Sequence, residues 1–176
     1  MVIKRIRETL DNKGNAVIVW FMISVALFVG LQPLVIDFGG MLSSQIKVKN
    51  SLNKAVKAAS LAIQDGEDLA NGNFRINSGQ AEVNFNRYIA LNLGLNEITL
   101  EPLSTGSRLP KAPTVKEFVV QNTASSTYTS SYMGQTYQIN KPTVISSLEF
   151  SYQGVFLRKS FRVGRLSSSQ LNSVYD

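Results

Sequence analysis

The stretch AVIVWFMISVALFVGLQPLVI, residues 16–36, contains no charged side chain and decides how the rest of the chain is interpreted. As an α-helix it is ~31 Å long, because each residue adds ~1.5 Å, and this is close to the hydrocarbon thickness of a bilayer. A signal-peptide core is shorter and ends at a small-x-small cleavage motif, which Leu31-Gln32-Pro33-Leu34, after residues 26–30 of this stretch, does not offer. A buried core helix would need a domain that covers all its faces, because the stretch has no polar stripe. Residues 16–36 are therefore predicted to form a transmembrane helix.

The residues before this stretch predict its orientation. Residues 1–15 are short and basic, with cations at positions 4, 5, 7 and 13. Since positive flanks favour the cytoplasmic side, we expect a cytoplasmic leader and a single pass through a bacterial cytoplasmic membrane. The larger C-terminal part would then be extracytoplasmic. Pro33 is expected to kink the helix rather than end it.

Helical periodicity continues through residues 37–64. One face carries small and apolar side chains while the lysines at 47, 54 and 57 fall largely off it. This face is a candidate seam for packing on partner helices: Met41, Val48, Leu52, Ala55, Ala59 and Ala62. The alternative is that the segment docks on the protein's own domain. With Gly66 as a stop signal, the pattern predicts one nearly continuous helix from Ala16 to Gln64.

These features carry a family resemblance. Lys13-Gly14-Asn15-Ala16, the apolar run, Val35-Ile36-Asp37-Phe38-Gly39 and the alanine-rich residues 52–63 together resemble the N-terminal region of TadE/TadG-like proteins. These proteins are pilin-like components of tight-adherence pili and related type II-type secretion machineries. The resemblance covers about residues 13–64 and consists of residue classes rather than a rigid motif.

The resemblance implies processing and partners. In that family a prepilin peptidase commonly cuts after a glycine before the apolar run, which here implies a cut between Gly14 and Asn15. The implied partners are other pilin-like subunits, the prepilin peptidase and the assembly platform. Such pilins usually carry glutamate at the fifth position after the cut, whereas this chain has Val19. That departure favours a minor pilin or pseudopilin over a major filament subunit.

The amino-acid composition excludes several kinds of functional site. The chain of 176 residues has neither cysteine nor histidine, which excludes disulfides, Cys/His metal sites and imidazole catalysis. Its net charge of +6 is dispersed, without an arginine-aromatic stripe, so nucleic-acid binding is not expected. No Gly-rich phosphate loop or carboxylate pair in an apolar context stands out. We therefore expect a protein without cofactor or metal that is not an enzyme.

Residues 65–176 are predicted to form the exported domain. Asp65, Glu67 and Asp68 do not have calcium-loop spacing, so a solvated loop is expected there. Asn77 resembles a helix cap and Gly94 a helix end. Between them, one helical face is predicted to carry Ala81, Phe85, Tyr88, Ile89 and Leu93.

The period then changes to two, which predicts strands. Residues 97–102 and 117–121 are expected to be short strands, and residues 143–152 alternate in the same way. Gln153-Gly154 predicts a turn, and residues 155–165 a returning strand. The uncharged residues 122–138 are expected to form two edge strands joined by a flexible turn. The alternatives are an adhesive tip used in surface contact and a glycosylated loop. The basic side chains at 158, 159, 162 and 165 are expected on a solvated strand face, with binding of an acidic partner or surface polymer as the alternative.

The sequence thus predicts an α+β protein with a long N-terminal helix and a small exported domain. Its expected function is a pilin-like structural subunit that acts by helix packing and surface display. The alternative is an independent membrane-anchored adhesion or sensor domain that uses the helix only as a tether.

Overall fold

The computed structural model describes residues 2–64, 74–103 and 109–171, of which residues 2–14 are described as backbone only. The predicted α+β class, with one long helix, one short helix and an antiparallel sheet, is confirmed. The elements are α1 (Val2–Ser60), α2 (Ser78–Leu93), β1 (Thr114–Gln121), β2 (Ser126–Thr129), β3 (Thr136–Ile139), β4 (Thr143–Gln153) and β5 (Ser160–Gln170). The chain divides into two units, Met1–Gly40 with Gly154–Arg158 and the remainder, and each is described by itself.

Helix α1 differs from the prediction at both ends. It begins at Val2 rather than Ala16, and it runs without interruption through Pro33 and the Gly39-Gly40 pair. It ends at Ser60 rather than Gln64, because the next residues leave the helix to pair with another segment. Ile63 forms a bridge with Ile76, and the N–H of Gln64 donates to the Arg75 carbonyl at 2.9 Å. The predicted stop Gly66 and the acidic residues 65–68 lie outside the described residues.

Helix α2 has the predicted caps. The Asn77 side chain accepts a hydrogen bond from the N–H of Gln80 at 3.1 Å, which satisfies one of the free donors of the first turn. Gly94 closes the helix in the left-handed conformation, with φ 69°, and its N–H donates to Ala90. The predicted apolar face is buried except at one position: Tyr88 is exposed, and Ala90 takes its place in the core.

The main sheet of the domain has three antiparallel strands in the order β1-β4-β5. The predicted hairpin is confirmed as β4–β5, whose register pairs Gln153 with Ser160 and Thr143 with Gln170. On the other side of β4, Gln121 of β1 pairs with Thr143. As the central strand, β4 is buried on both faces from Thr143 to Leu148.

The main core packs the C-terminal part of α1 and helix α2 with one face of this sheet. The Phe85 ring of α2 meets the Phe118 ring of β1 with centroids 5.0 Å apart. Val144, Leu148 and Phe150 of β4 belong to the same cluster. The period-two pattern of β4 places these three side chains on one face, and that face packs in the cluster that also contains residues of α1 and α2.

The uncharged residues 122–138 contain a pair of strands, as expected. Strands β2 and β3 form a separate two-stranded antiparallel sheet, with Tyr128 opposite Tyr137. Both tyrosines pack on a second cluster that contains Ile139, Ile145 and Leu166. This small sheet therefore covers the opposite face of β4, which explains why that strand is buried on both sides.

One strand prediction is wrong, and another strand begins later than predicted. Residues 97–102 form a turn, because the Asn96 side chain accepts hydrogen bonds from the N–H groups of Ile98 and Thr99 and only the bridge Leu95–Pro102 remains. The returning strand begins at Ser160 rather than residue 155. Residues 154–159 form a longer connection than the predicted turn. Within it, the N–H groups of Val155, Phe156 and Leu157 donate to Asp37 of α1.

Candidate functional site

The first unusual surface is the apolar segment of α1. Between residues 15 and 36 every side chain is exposed except that of Pro33, which is partly buried. Trp20 is 69% exposed and Phe28 67%, although both are large apolar side chains. The segment lies in a helix that is long and apolar enough to cross a membrane, and none of its most apolar window is covered by the protein. By its length and composition this helix is a candidate membrane span.

The candidate cleavage residues lie at the start of this segment. Gly14 and Asn15 are both within α1, and Asn15 is exposed. Their predicted role as a peptidase site stays a prediction.

The second feature is Asp37, a buried carboxylate directly after the apolar segment, only 3% exposed. Its Oδ1 accepts hydrogen bonds from the N–H groups of Val155 at 2.7 Å and Phe156 at 3.2 Å, and its Oδ2 from that of Leu157 at 2.8 Å. One side chain of α1 therefore satisfies three consecutive backbone donors of the Gly154–Arg158 loop. Bonds of this kind to an ionised acceptor are the strong ones in proteins.

The approach of the loop to Asp37 requires glycine at position 154. A Cβ added to Gly154 would lie 2.6 Å from Asp37 Oδ2 and 3.0 Å from its Cγ. With the backbone turned toward the carboxylate, the next three side chains point away from it. Val155 is 70% exposed, Phe156 54% and Leu157 40%.

Sequence reasoning missed this site. Residues 155–157 were predicted to lie in a strand, and Asp37 was noted only within the family pattern. One feature of the sequence could have indicated the site: Asp37 is a lone carboxylate at the end of an uncharged run. A carboxylate that is buried there needs hydrogen-bond donors close to it.

A second carboxylate organises the connection between β2 and β3. Glu117 of β1 is half-buried and accepts hydrogen bonds from the hydroxyls of Ser130 and Ser131, each at 2.5 Å, and from the Tyr132 N–H at 3.0 Å. Burial alone raises the pKa of Glu117, but the hydrogen bonds from Ser130, Ser131 and Tyr132 outweigh it and lower the pKa to about 2. The carboxylate therefore fastens this turn to the main sheet at neutral pH.

Tyr132 extends the same arrangement to β4 and β5. Its hydroxyl donates to Glu149 at 2.9 Å, and burial together with this bond raises the pKa of the phenol. Glu149 also pairs with Lys116 at 3.6 Å. Gly164 leaves room for the ring, because an added Cβ would lie 2.8 Å from the Tyr132 hydroxyl oxygen.

The candidate packing seam lies mostly inside the protein's own core. Its members from Val48 onward are at most 5% exposed: Val48, Leu52, Ala55, Ala59 and Ala62. Met41 is partly buried. The alternative, in which this segment docks on its own domain, therefore describes these five residues, of which Ala62 lies just beyond the end of α1. They belong to the same hydrophobic cluster as residues of α2 and of the main sheet.

The predicted basic face is only partly solvated. Arg158, Lys159 and Arg162 are exposed, as expected, but the first two lie before β5 rather than on a strand. Arg165 is partly buried and donates to the Gln45 side chain of α1. Close by, Lys49 donates to the Leu166 carbonyl at 2.5 Å, and burial, then the charge of Arg165, lowers the pKa of this lysine. These two cations therefore tie α1 to β5.

Comparison with known proteins gives no relative for this chain: no family model matches it, and neither a curated protein nor a solved structure matches it.

Proposed function

We propose that this protein is a pilin-like structural subunit, a minor pilin or pseudopilin of a tight-adherence-type pilus or secretion system. Residues 16–36 cross the bacterial cytoplasmic membrane with the N-terminus in the cytoplasm, and the α+β domain lies outside. The protein acts by helix packing and surface display rather than by chemistry. Its partners are other pilin-like subunits, a prepilin peptidase and an assembly platform.

One observation carries the proposal: a single helix has an uncovered apolar part and a part buried in its own domain. Residues 16–36 of α1 have exposed apolar side chains, whereas Val48, Leu52 and Val56 of the same helix are 1% exposed or less. This division suits a subunit whose domain is held firmly by one end of a helix while the other end is free to pack with neighbours. In a bilayer such packing is driven by van der Waals contact and small residues, of which Gly30 has open space around it.

The position of the partner contacts follows from the same burial. Since Ala55 and Ala59 are fully buried in the protein's own core, they have no surface to offer a second subunit. Contacts with neighbours are therefore expected along residues 16–36 and at exposed apolar positions of the next turns, such as Leu42 and Ile46, which are 55% and 61% exposed. This replaces the alanine seam as the expected assembly surface.

The absence of cysteine from the chain makes a direct test possible. Single cysteines are introduced at each position from 16 to 36, and membranes are treated with a bifunctional maleimide. We expect cross-linked products that recur with helical periodicity, for example at Leu27→Cys, and whose second component is identified by mass spectrometry as this chain or another pilin-like subunit. Ala55→Cys is the matched control, since a cysteine buried in the core has no access to a neighbour.

The same experiment separates the proposal from the tether alternative. Burial of the alanine seam within the chain is the observation that favours a tether, because it removes one surface for assembly. If none of the single-cysteine variants from 16 to 36 gave a cross-linked product, the pilin-like subunit would be rejected. An independent membrane-anchored adhesion or sensor domain would then be favoured.

A further inference from the structure

The Gly154–Arg158 loop presents apolar side chains outward and polar backbone inward. Val155, Phe156 and Leu157 are consecutive large apolar residues, and all three are exposed. Exposed apolar side chains are ordinary when scattered singly, but three in a row at the tip of a hairpin form a small contiguous apolar surface.

The backbone N–H groups of residues 155–157 have a hydrogen-bond acceptor within the protein, as a non-aqueous environment requires. Lipid contains no water to satisfy free N–H groups, so irregular backbone at membrane depth must find its partners within the protein. The N–H groups of residues 155, 156 and 157 all donate to Asp37. A loop exposed only to water would not need a buried carboxylate for this purpose.

The carboxylate also fixes where the loop lies. Asp37 directly follows the apolar segment 16–36 on α1, so the loop is held at the end of that segment nearest Ile36. Neighbouring Phe38 is 54% exposed and adds to the apolar surface there. Arg158 ends the loop with φ 51° and an exposed side chain. Apolar side chains followed by a cation are the arrangement that suits the boundary between acyl chains and phosphate headgroups.

We propose that the Gly154–Arg158 loop is a second membrane contact of this protein. The side chains of Val155, Phe156 and Leu157 enter the acyl–headgroup boundary at the Ile36 end of the span, and Asp37 satisfies the backbone that accompanies them. The loop thereby fixes how the tip of the β4–β5 hairpin meets the lipid surface. This inference rests on the membrane insertion of residues 16–36 in the proposed function.

Tryptophan fluorescence tests the two claims separately, because Trp20 is the single tryptophan of the chain and lies within the proposed span. The full-length protein is reconstituted in phosphatidylcholine vesicles with and without brominated acyl chains, which quench tryptophans in contact with lipid. The wild-type chain reports on Trp20. The double variant Trp20→Phe/Phe156→Trp reports on the loop, and Trp20→Phe/Leu91→Trp is the matched control at an exposed apolar position of α2, where Leu91 is 73% exposed.

We expect brominated lipid to reduce the emission of the wild-type chain and of the Phe156→Trp chain, and the latter to emit at shorter wavelength than the Leu91→Trp control. Quenching of wild-type Trp20 without quenching of the Phe156→Trp chain would overturn the loop contact and leave the span intact. No quenching of Trp20 would overturn the span and the inference with it. Equal quenching of the Leu91→Trp control would overturn the assignment of the contact to the loop.

A further variant tests the role of the carboxylate. Asp37→Ala, placed in the Trp20→Phe/Phe156→Trp chain, leaves three N–H groups without their acceptor, and we expect loss of quenching and a shift of the emission to longer wavelength. Unchanged quenching would show that Asp37 does not support lipid contact. Protection of the tryptophan at position 156 from both brominated lipid and an aqueous quencher would place it against another protein subunit and overturn the proposal.

Discussion

Substitution of Gly154 by alanine is the sharpest probe of the contact between Asp37 and the Gly154–Arg158 loop. Gly154 is not among the glycines with positive φ, so alanine is compatible with its backbone conformation. The nearest obstacle is Asp37, whose Oδ2 would lie 2.6 Å from the new Cβ. Since the carboxylate is held by three backbone donors, the loop must move away and weaken at least one of these bonds.

The size of the effect follows from the bond that is lost. A hydrogen bond to a charged group contributes ~1.5–3 kcal/mol, and a factor of ten in an equilibrium corresponds to ~1.4 kcal/mol. We therefore expect the amide protons of residues 155–157 to exchange about 10- to 150-fold faster in Gly154→Ala. The measurement is hydrogen–deuterium exchange of the full-length protein in detergent micelles, read on the peptide that contains this loop.

Gly39→Ala is the matched control, because it lies two residues from Asp37 and an added Cβ there meets nothing within 4 Å. Exchange of the loop amides should be unchanged in that variant. In an Asp37→Ala background the contact no longer exists, so Gly154→Ala should have no further effect. Equal protection in wild type and Gly154→Ala would refute the reasoning that the carboxylate orders the loop.

Two further predictions concern the folded domain. Because the pKa of Glu117 falls from its ordinary value of 4.5 to about 2 in the folded state, its contribution is complete above pH 5 and is lost as pH falls toward 2. Thermal unfolding followed by circular dichroism should therefore show a smaller loss of stability between pH 5 and pH 2 in Glu117→Gln than in wild type, and parallel curves would contradict this. Ala55→Leu should destabilise the domain by ~1–3 kcal/mol, since Ala55 is fully buried, whereas the exposed Lys54→Gln should stay within about 0.5 kcal/mol in denaturant unfolding. Equal stability of these two variants would show that the seam is not core.

Local patterns predicted the helices and the central hairpin well. The uncharged run at 16–36 identified a helix without a polar face, and Asn77 and Gly94 identified both ends of α2, because caps depend on hydrogen bonds within a few residues. The alternation in residues 143–152 identified β4, since a strand with its face toward a core must repeat every two residues. These features could be predicted because their causes lie next to each other in the chain.

The candidate sites depended on contacts between distant residues and could not be found in this way. Asp37 and Leu157 are 120 positions apart, and nothing in the local pattern of residues 154–159 indicates that their N–H groups face a carboxylate. Glu117 alternates like any outward strand residue, yet its partners begin thirteen positions later at Ser130. The strand prediction for residues 97–102 is wrong for a local reason. The side chain of Asn96 accepts a hydrogen bond from the backbone N–H of Ile98, which a strand would use for pairing.

Helix α1 shows how far periodicity alone can be taken. The face that includes Val48, Leu52 and Ala55 has the spacing of a packing seam, and it does pack, but on the protein's own domain. Spacing indicates that a face is buried and not what buries it. The surface proposed for neighbours has no such periodicity, because residues 16–36 are uncharged all round and exposed except at Pro33.

The mass of the mature chain is the measurement that tests the proposed pilin-like subunit most directly. The protein is expressed in its native cells, recovered from the membrane fraction and analysed by intact-mass and N-terminal peptide spectrometry. We expect a chain that begins at Asn15 and retains residues 16–36, and we expect Gly14→Glu to prevent the cut because a peptidase pocket shaped for glycine has no room for a longer side chain. A chain that retains Met1 would contradict a processed pilin-like subunit, and a soluble chain that begins after Ile36 would contradict the membrane helix itself.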